Sequence, residues 1–339
     1  MTWLRRRPRL PAPPRPAVRP LAERPPAERH RMELPAELLR RLEFKVVRRL
    51  DGFLFGDYRG VFYGPSLDLA EVREYQPGDE VRRIDWNVTA RSGRLHVRQY
   101  REERELTTWL LVDTSASMNF GTRRTLKREL AREFAGVAAL IIARHGDRLG
   151  AITFGAAAGM APPRRGRAQA LAVMTLLSRP AAPERADTAP PETGIATLEA
   201  ALTRAGRLLR RRSLVFVVSD FLDAGPRAEE GRPDGWAGAL GRLAQRHDVV
   251  AVRVSDPAER TLPDVGGLRV RDPETGEELW LDTSSPDVRA AHARLVGERD
   301  VALRRALRAA QVDLLDLDTG RDPVGPLLRF AAARRRQVP

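Results

Sequence analysis

From Thr107 onward, short apolar runs of strand length alternate with stretches whose apolar positions follow a helical period. Trp109-Leu110-Leu111-Val112, Leu149 to Phe154, Ser213 to Ser219, Val249 to Val254 and Val312 to Leu317 read as buried strands. Between the first two, Leu126, Leu130, Phe134, Val137 and Ile141 form one face of a long helix. Further helices are predicted over Gly166 to Ser178, around Leu198, Leu202 and Leu209, over Trp236 to Gln245 and Pro286 to Ala310, and through Phe330. Strands that are apolar on both faces, alternating with helices, define the fold class: α/β, a doubly wound and mostly parallel sheet. One stretch breaks the rhythm. Asp256 to Asp282 predicts a hairpin turning at Pro273-Glu274-Thr275-Gly276.

The first hundred residues read differently. Residues 1–30 are rich in proline and arginine, hold little that is apolar, and predict a solvated tail. Leu34 to Leu50 predicts a helix with Leu38, Leu42, Val46 and Leu50 at four-residue spacing and Pro35 in its first turn. Between Asp51 and Glu105 short alternating runs are cut by glycine, proline and Ser92-Gly93, and Leu95 to Tyr100 alternates as a half-buried strand. The resulting division is a tail over 1–30, an N-terminal helix with a small β-rich lobe over 31–105, and an α/β domain over 106–335.

Composition narrows the chemistry. The 339-residue chain has no cysteine, which removes disulfides, thiolate metal sites and cysteine nucleophiles. No apolar run approaches the roughly 20 residues needed to span a bilayer, and the N-terminal arginines are not followed by an apolar segment, so the expectation is a soluble, cytoplasmic protein without a transmembrane segment. The net charge of +14 raises the question of nucleic acid. However, all but two of the 59 basic residues are arginine, the exceptions being Lys45 and Lys127, and eight arginines sit in the tail. Aromatic residues make up 6% of the chain and do not interleave with a basic stripe, so specific nucleic-acid binding is not expected, although it stays an alternative through the basic surface.

The strongest chemical signal lies where the first buried strand ends. Asp113-Thr114-Ser115-Ala116-Ser117 changes the chain from apolar to oxygen-rich in one step. One carboxylate and two hydroxyls on a short loop suit a hard cation such as Mg²⁺. In open α/β sheets the carboxyl edge of the strands is where ligands bind. The same residue types also cap helices and close turns. A later strand again ends on an acid, Asp220.

Asp-x-Ser-x-Ser after the first strand of such a sheet resembles the von Willebrand factor A fold, where it begins the metal-ion-dependent adhesion site (MIDAS). Glu74-Tyr75-Gln76-Pro77-Gly78-Asp79, Arg83-Ile84-Asp85-Trp86-Asn87, Ala90-Arg91, Ser219-Asp220-Phe221, Arg246-His247-Asp248 and Asp272 to Gly276 are similar to the bacterial family called domain of unknown function 58. The likeness runs from about Leu34 to Phe330. It implies that Asp113, Ser115, Ser117 and Asp220 hold Mg²⁺, or another divalent cation such as Mn²⁺. At the middle position the family resembles Thr-Asp-Leu whereas this chain has Ala196-Thr197-Leu198, so Thr197 stands where the acid is expected and is carried as a candidate hydroxyl ligand. The resemblance further implies adhesion rather than turnover: a client protein presenting an acidic residue completes the site, and the chain partners a MoxR-type AAA+ ATPase in chaperone-like protein maturation.

Two further expectations complete the reading. The motif around Tyr75, Gln76, Asp79, Arg83, Asp85 and Trp86 mixes acids, arginines and an indole of buried type, which favours a structural role. An Mg²⁺-dependent hydrolase built on Asp113 and Asp220 is the enzymatic alternative. Neither a Gly-x-Ser-x-Gly elbow, a His-Glu-x-x-His pair nor a phosphate-binding Gly-Lys-Ser/Thr loop is present, and His30, His96, His145, His247 and His292 lack ligand spacing, so a non-enzymatic protein is expected.

Overall fold

The computed structural model describes residues 34–50, 71–76, 84–99, 107–179, 197–222 and 235–336. The tail, most of the loop 179–192, and motif positions 77–83 and 196 lie outside them. In chain order the described elements are α1 (Pro35–Leu50), β1 (Glu71–Glu74), α2 (Trp86–Ser92), β2 (His96–Gln99), β3 (Thr107–Asp113), α3 (Lys127–Arg144), β4 (Arg148–Phe154), β5 (Gly159–Arg165), α4 (Gly166–Leu177), α5 (Leu198–Leu208), β6 (Leu214–Ser219), α6 (Gly235–Ala244), β7 (Asp248–Ser255), α7 (Pro257–Arg260), β8 (Gly267–Arg271), β9 (Glu278–Asp282), α8 (Pro286–Ala309), β10 (Asp313–Asp318) and α9 (Val324–Arg336).

Six strands form one sheet in the order β10-β7-β6-β3-β4-β5, parallel except for the β4–β5 pair. Alternation along each strand sends side chains to two separate cores. Leu110, Val112, Phe216, Val218, Val252 and Val254 face α1, α3, α4 and α9; Trp109, Leu111, Val215, Val217, Val249 and Ala251 face α5, α6 and α8. Burying such side chains stabilises by roughly 1.5–3 kcal/mol each, and the apolar strands are read by both layers. The doubly wound expectation therefore holds.

α3 is buried almost all round because it is covered twice, by the sheet and by α1 and α4. Phe134 meets Phe216 edge to face at 5.5 Å on its inner side. On its outer side Gly136 gives room to Leu42: a Cβ at Gly136 would lie 2.5 Å from Leu42 Cδ1. Leu38, Leu39 and Leu42 thus belong to the same core as the sheet.

β5 was not anticipated, since its sequence carries Pro162 and Pro163. It pairs as an edge strand, where a missing N–H is tolerated, and the register shifts between Leu149 and Ala151. β1 and β2 form a small antiparallel pair beside α2, whose first turn is capped by Asp85 through Asn87 and Val88 N–H. Trp86 corrects the sequence reading: it is 66% exposed rather than packed inside. As the first residue of α2 it follows the cap at Asp85, which turns the indole outward while the carboxylate is buried. Among the described residues no helix is long and apolar enough to cross a membrane.

Candidate functional site

The connection from β3 through α3 leads to β4 on one side of β3, and after β5 the chain returns to place β6 on the other side. The strand order therefore reverses between β3 and β6, and the loops leaving their carboxyl ends diverge there. Such a switch point opens a crevice in a parallel sheet. Asp113 ends β3 and Asp220 follows β6, so topology alone brings together two acids separated by more than a hundred residues.

Hydrogen bonds join four of the five sequence-predicted residues into one chain. Asp113 Oδ1 accepts from Ser115 N–H at 2.8 Å, and its Oδ2 accepts from Ser219 Oγ at 2.6 Å. Ser115 Oγ and Ser117 Oγ are 3.1 Å apart, and Ser117 Oγ donates to Asp220 Oδ2 at 2.8 Å. Thr197 stands outside this chain. Its hydroxyl accepts from Ala200 N–H at 3.2 Å and caps α5, and the residue is exposed.

The loop after Asp113 is pressed against the end of β4. Thr114 N–H and Oγ donate to Phe154 O at 2.8 and 2.5 Å, and Ala157 N–H donates back to Thr114 Oγ at 3.0 Å. Gly155 makes this approach feasible: at φ 87° it occupies the left-handed region, and a Cβ there would lie 2.6 Å from Ser115 N. On the β6 side Phe221 adopts φ 55°, an unusual conformation for a bulky residue, held by its N–H on Ser219 Oγ and by its ring against Trp236. Leu222 N–H closes the turn on Asp220 Oδ1 at 3.1 Å. Strain of this kind gathers at sites that the surrounding structure over-determines.

Four charged groups that sequence reasoning passed over complete the site. Lys127, the first residue of α3, is wholly buried, and its Nζ lies 2.7 Å from Asp220 Oδ2 and 2.5 Å from Glu259 Oε1. Burial opposes its charge, but Asp220 and Glu259 outweigh burial and hold its pKa above the ordinary lysine value. Glu259 also accepts from Asp256 N–H, closing a capping box on α7. Asp256, itself fully buried, accepts from Thr122 and Thr319; burial works to raise its pKa, and these bonds prevail and lower it. Finally, Ser117 N–H donates to Glu274 Oε1 at 2.8 Å from the tip of the β8–β9 hairpin. Two of these groups left signals in the sequence: Lys127 is one of two lysines in an arginine-dominated chain, and Glu274 sits in the turn motif.

The donor set suits a hard cation. With metal–oxygen bonds near 2.1 Å, adjacent oxygens around octahedral Mg²⁺ are roughly 3 Å apart. The Ser115–Ser117 and Ser117–Asp220 spacings of 3.1 and 2.8 Å match that edge. Among the described residues no group of three or more His, Asp or Glu is placed to hold a metal, so a site here depends on its hydroxyls. Asp113, 5% exposed, has its pKa raised to about 6, first by burial and then by the Asp220 charge, against hydrogen bonds from Ser115 and Ser219. Two acids are thus held close together with one ammonium for compensation.

A six-stranded, mostly parallel sheet with helices on both faces defines an α/β protein, and its polar constellation lies at the switch point on the carboxyl edge. The chain belongs to the family described as protein of unknown function DUF58, whose model matches residues 71–302. It is 40% identical over 307 residues to the uncharacterized protein Rv1480 of Mycobacterium tuberculosis, covering 89% of this chain and 90% of that protein, and to the same extent to the uncharacterized protein Mb1516 of Mycobacterium bovis. Among solved structures it is similar to a von Willebrand factor type A protein from Catenulispora acidiphila, at 14% identity and TM-score 0.36 over 69% of this chain and 43% of that one. An aerotolerance-related membrane protein from Bacteroides fragilis matches at 14% identity and TM-score 0.39 over 66% and 98% of the two chains.

Proposed function

We propose that this chain is a protein-interaction module whose docking site is the crevice between β3 and β6, assisted by a divalent cation, Mg²⁺ or Mn²⁺. The observation that carries the reading is the continuous chain Asp113, Ser115, Ser117, Asp220 assembled at the topological switch point. Ser115 and Ser117 would hold the cation directly, with Asp113 and Asp220 supplying negative charge beside it; Thr197 joins only by giving up its cap on Ala200. A bound cation supplies an electrophilic point that distinguishes a partner's carboxylate from neutral side chains. Asp113 fixes the loop by accepting Ser115 N–H, and Ser219 fixes Asp113. Lys127 holds Asp220 in place and limits the repulsion between the two acids.

The partner we assign, following the family resemblance, is a MoxR-type AAA+ ATPase together with a client that presents an acidic residue. Calorimetric titration of Mg²⁺ and Mn²⁺ into the full chain, and capture of the MoxR-type ATPase from the same genome in Mg²⁺ and in chelator, test this. Asp113→Ala and Ser115→Ala are expected to abolish capture while circular dichroism stays unchanged. Equal capture in Mg²⁺ and chelator overturns the cation-assisted reading.

A further inference from the structure

The carboxylate of Glu274 reaches the Asp-x-Ser-x-Ser loop from a segment 157 residues away, and its Oε1 accepts the Ser117 N–H at 2.8 Å. Ser117 carries the central hydroxyl of the site, bonded to Ser115 Oγ on one side and to Asp220 on the other. An acid is thus already bonded to the backbone of the residue whose hydroxyl is central to the proposed docking site. We propose that Glu274 is the resting ligand of the docking site, supplied in cis by the β8–β9 hairpin, and that a partner's acid binds by displacing it. The proposal deepens the docking reading above and rests on it.

The hairpin is built to present one side chain. Asp272 Oδ1 accepts from Glu274 N–H at 2.8 Å and from Thr275 N–H at 3.3 Å, Pro273 fixes the backbone between them, and Gly276 at φ 74° returns its N–H to Asp272 O at 2.9 Å. The base is pinned as firmly: the buried Thr283 hydroxyl donates to Gly266 O and accepts from Val265 N–H, and Arg289 donates to Thr283 O. Between these two closures the stem is open, with Leu279 59% and Trp280 69% exposed. With little burial along the stem, displacing the tip forfeits few buried contacts, so it lifts off the loop at low cost while the base stays pinned. Glu274 is itself exposed, so an incoming acid has access to the same point.

Tethering makes the weak contact effective. A group held on its own chain acts at an effective concentration of about millimolar, so a free acid of similar intrinsic affinity is excluded until it is presented at that level or until the arm is moved. Apparent affinity falls in proportion to the fraction of molecules whose site is open. A MIDAS-type surface therefore discriminates against stray carboxylates and responds to a partner that also engages the arm.

The test uses the full chain and three variants: Glu274→Gln, Glu274→Ala and, as a control on the same hairpin, Glu277→Gln. Amide hydrogen exchange over residues 115–119 is read without added cation. Exchange at Ser117 is expected to quicken about tenfold in both Glu274 variants and to stay unchanged in Glu277→Gln. The probe for binding is a cyclised peptide of residues 271–277, titrated with Mg²⁺ present. It is expected to bind Glu274→Ala about tenfold more tightly than the unmodified chain. Unchanged exchange, equal peptide affinity for both proteins, or binding to neither overturns the proposal. Peptide binding to Glu274→Ala that persists undiminished in chelator supports Glu274 as occupant while removing the cation from the docking reading, so the two failures are distinguishable.

Discussion

Nζ of Lys127 lies 2.7 Å from Oδ2 of Asp220, and both side chains are sealed from solvent. A buried pair of this kind is worth little over an apolar replacement of both partners, but breaking it leaves a charge without compensation. Lys127→Met is therefore expected to destabilise the full chain by about 3–5 kcal/mol in urea unfolding, and the double variant Lys127→Met with Asp220→Asn to recover part of that loss. Lys127→Arg is expected to destabilise as well, because a planar guanidinium must enter a space that fits a compact ammonium. A cost below about 1 kcal/mol for Lys127→Met would show that the pair does not hold the loop.

Asp113 makes stability depend on pH in the direction opposite to an ordinary surface acid. Its pKa is raised from 3.8 to about 6 by burial and by the Asp220 charge, so between these values the folded state binds a proton that the unfolded chain has released. Through this group the stability of the cation-free protein is fully present below pH 3.8 and is lost as pH rises through about 6, a total difference of about 3 kcal/mol. Urea unfolding in chelator from pH 4 to 7.5 measures it. Asp113→Asn is expected to flatten that part of the profile, and an unchanged slope in the variant removes Asp113 as its source. On the docking reading proposed above, a cation held by Ser115 and Ser117 would favour the ionised form of Asp113 beside it, so stabilisation by Mg²⁺ is expected to be larger at pH 7.5 than at pH 5.

Gly150 pairs with Trp109 across β3 and β4, and the indole lies over it. A Cβ at Gly150 would fall 2.7 Å from Trp109 Cε3 and 2.8 Å from Cζ3, atoms of a rigid ring rather than a flexible side-chain end. Gly150→Val is expected to cost about 1–3 kcal/mol by overpacking, with a change in the near-ultraviolet circular dichroism that reports the indole. Full stability with an unaltered aromatic signal would mean that the ring repacks freely.

The alternation of apolar strands with helical periods was legible because a doubly covered sheet demands it: each strand from β3 to β7 apart from the edge strand β5 feeds two cores. β5 escaped because its prolines argue against a strand anywhere but at an edge, and edge position is a property of topology. Asp113, Ser115, Ser117 and Asp220 were legible as loop chemistry at strand ends, and the fold brings them together. Lys127 was hidden by its place beside Leu126 and Leu130, where a charged residue at a helix start reads as solvent-exposed. Only the loop after β6 and the short helix α7 after β7 reveal that it is enclosed by Asp220 and Glu259. Trp86 misled for the converse reason, since its residue type suggested burial while its position after the Asp85 cap exposes it. Glu274 reads in the sequence as part of a turn, and its partner Ser117 is a contact that no local pattern encodes.

Arg253 of β7 ties the far side of the sheet to α8, and this link is expected to fail in a different pH window. Its guanidinium donates to Asp300 of α8 and, through Nε at 2.5 Å, to Asp316 of β10, while Arg304 Nε donates to Asp300 at 2.9 Å. Partial burial works to raise the Asp300 pKa, but the bonds and charges of Arg253 and Arg304 prevail and hold it at about 2. For a lowered acid the stabilisation is complete above the unfolded value of 3.8 and is lost as pH falls through about 2. Acid unfolding below pH 4 is therefore expected to be shallower in Asp300→Asn than in the unmodified chain, whereas the profile between pH 4 and 6, where Asp113 titrates, stays the same in both. Arg253→Met leaves Asp316 and Asp300 to Arg304 alone; because both acids keep solvent contact, its cost at pH 7 is expected to be about 1–3 kcal/mol, below that of a fully enclosed pair. If Asp300→Asn instead reshapes the pH 4 to 6 region, the two acids are coupled through the sheet and the assignment of separate windows is wrong.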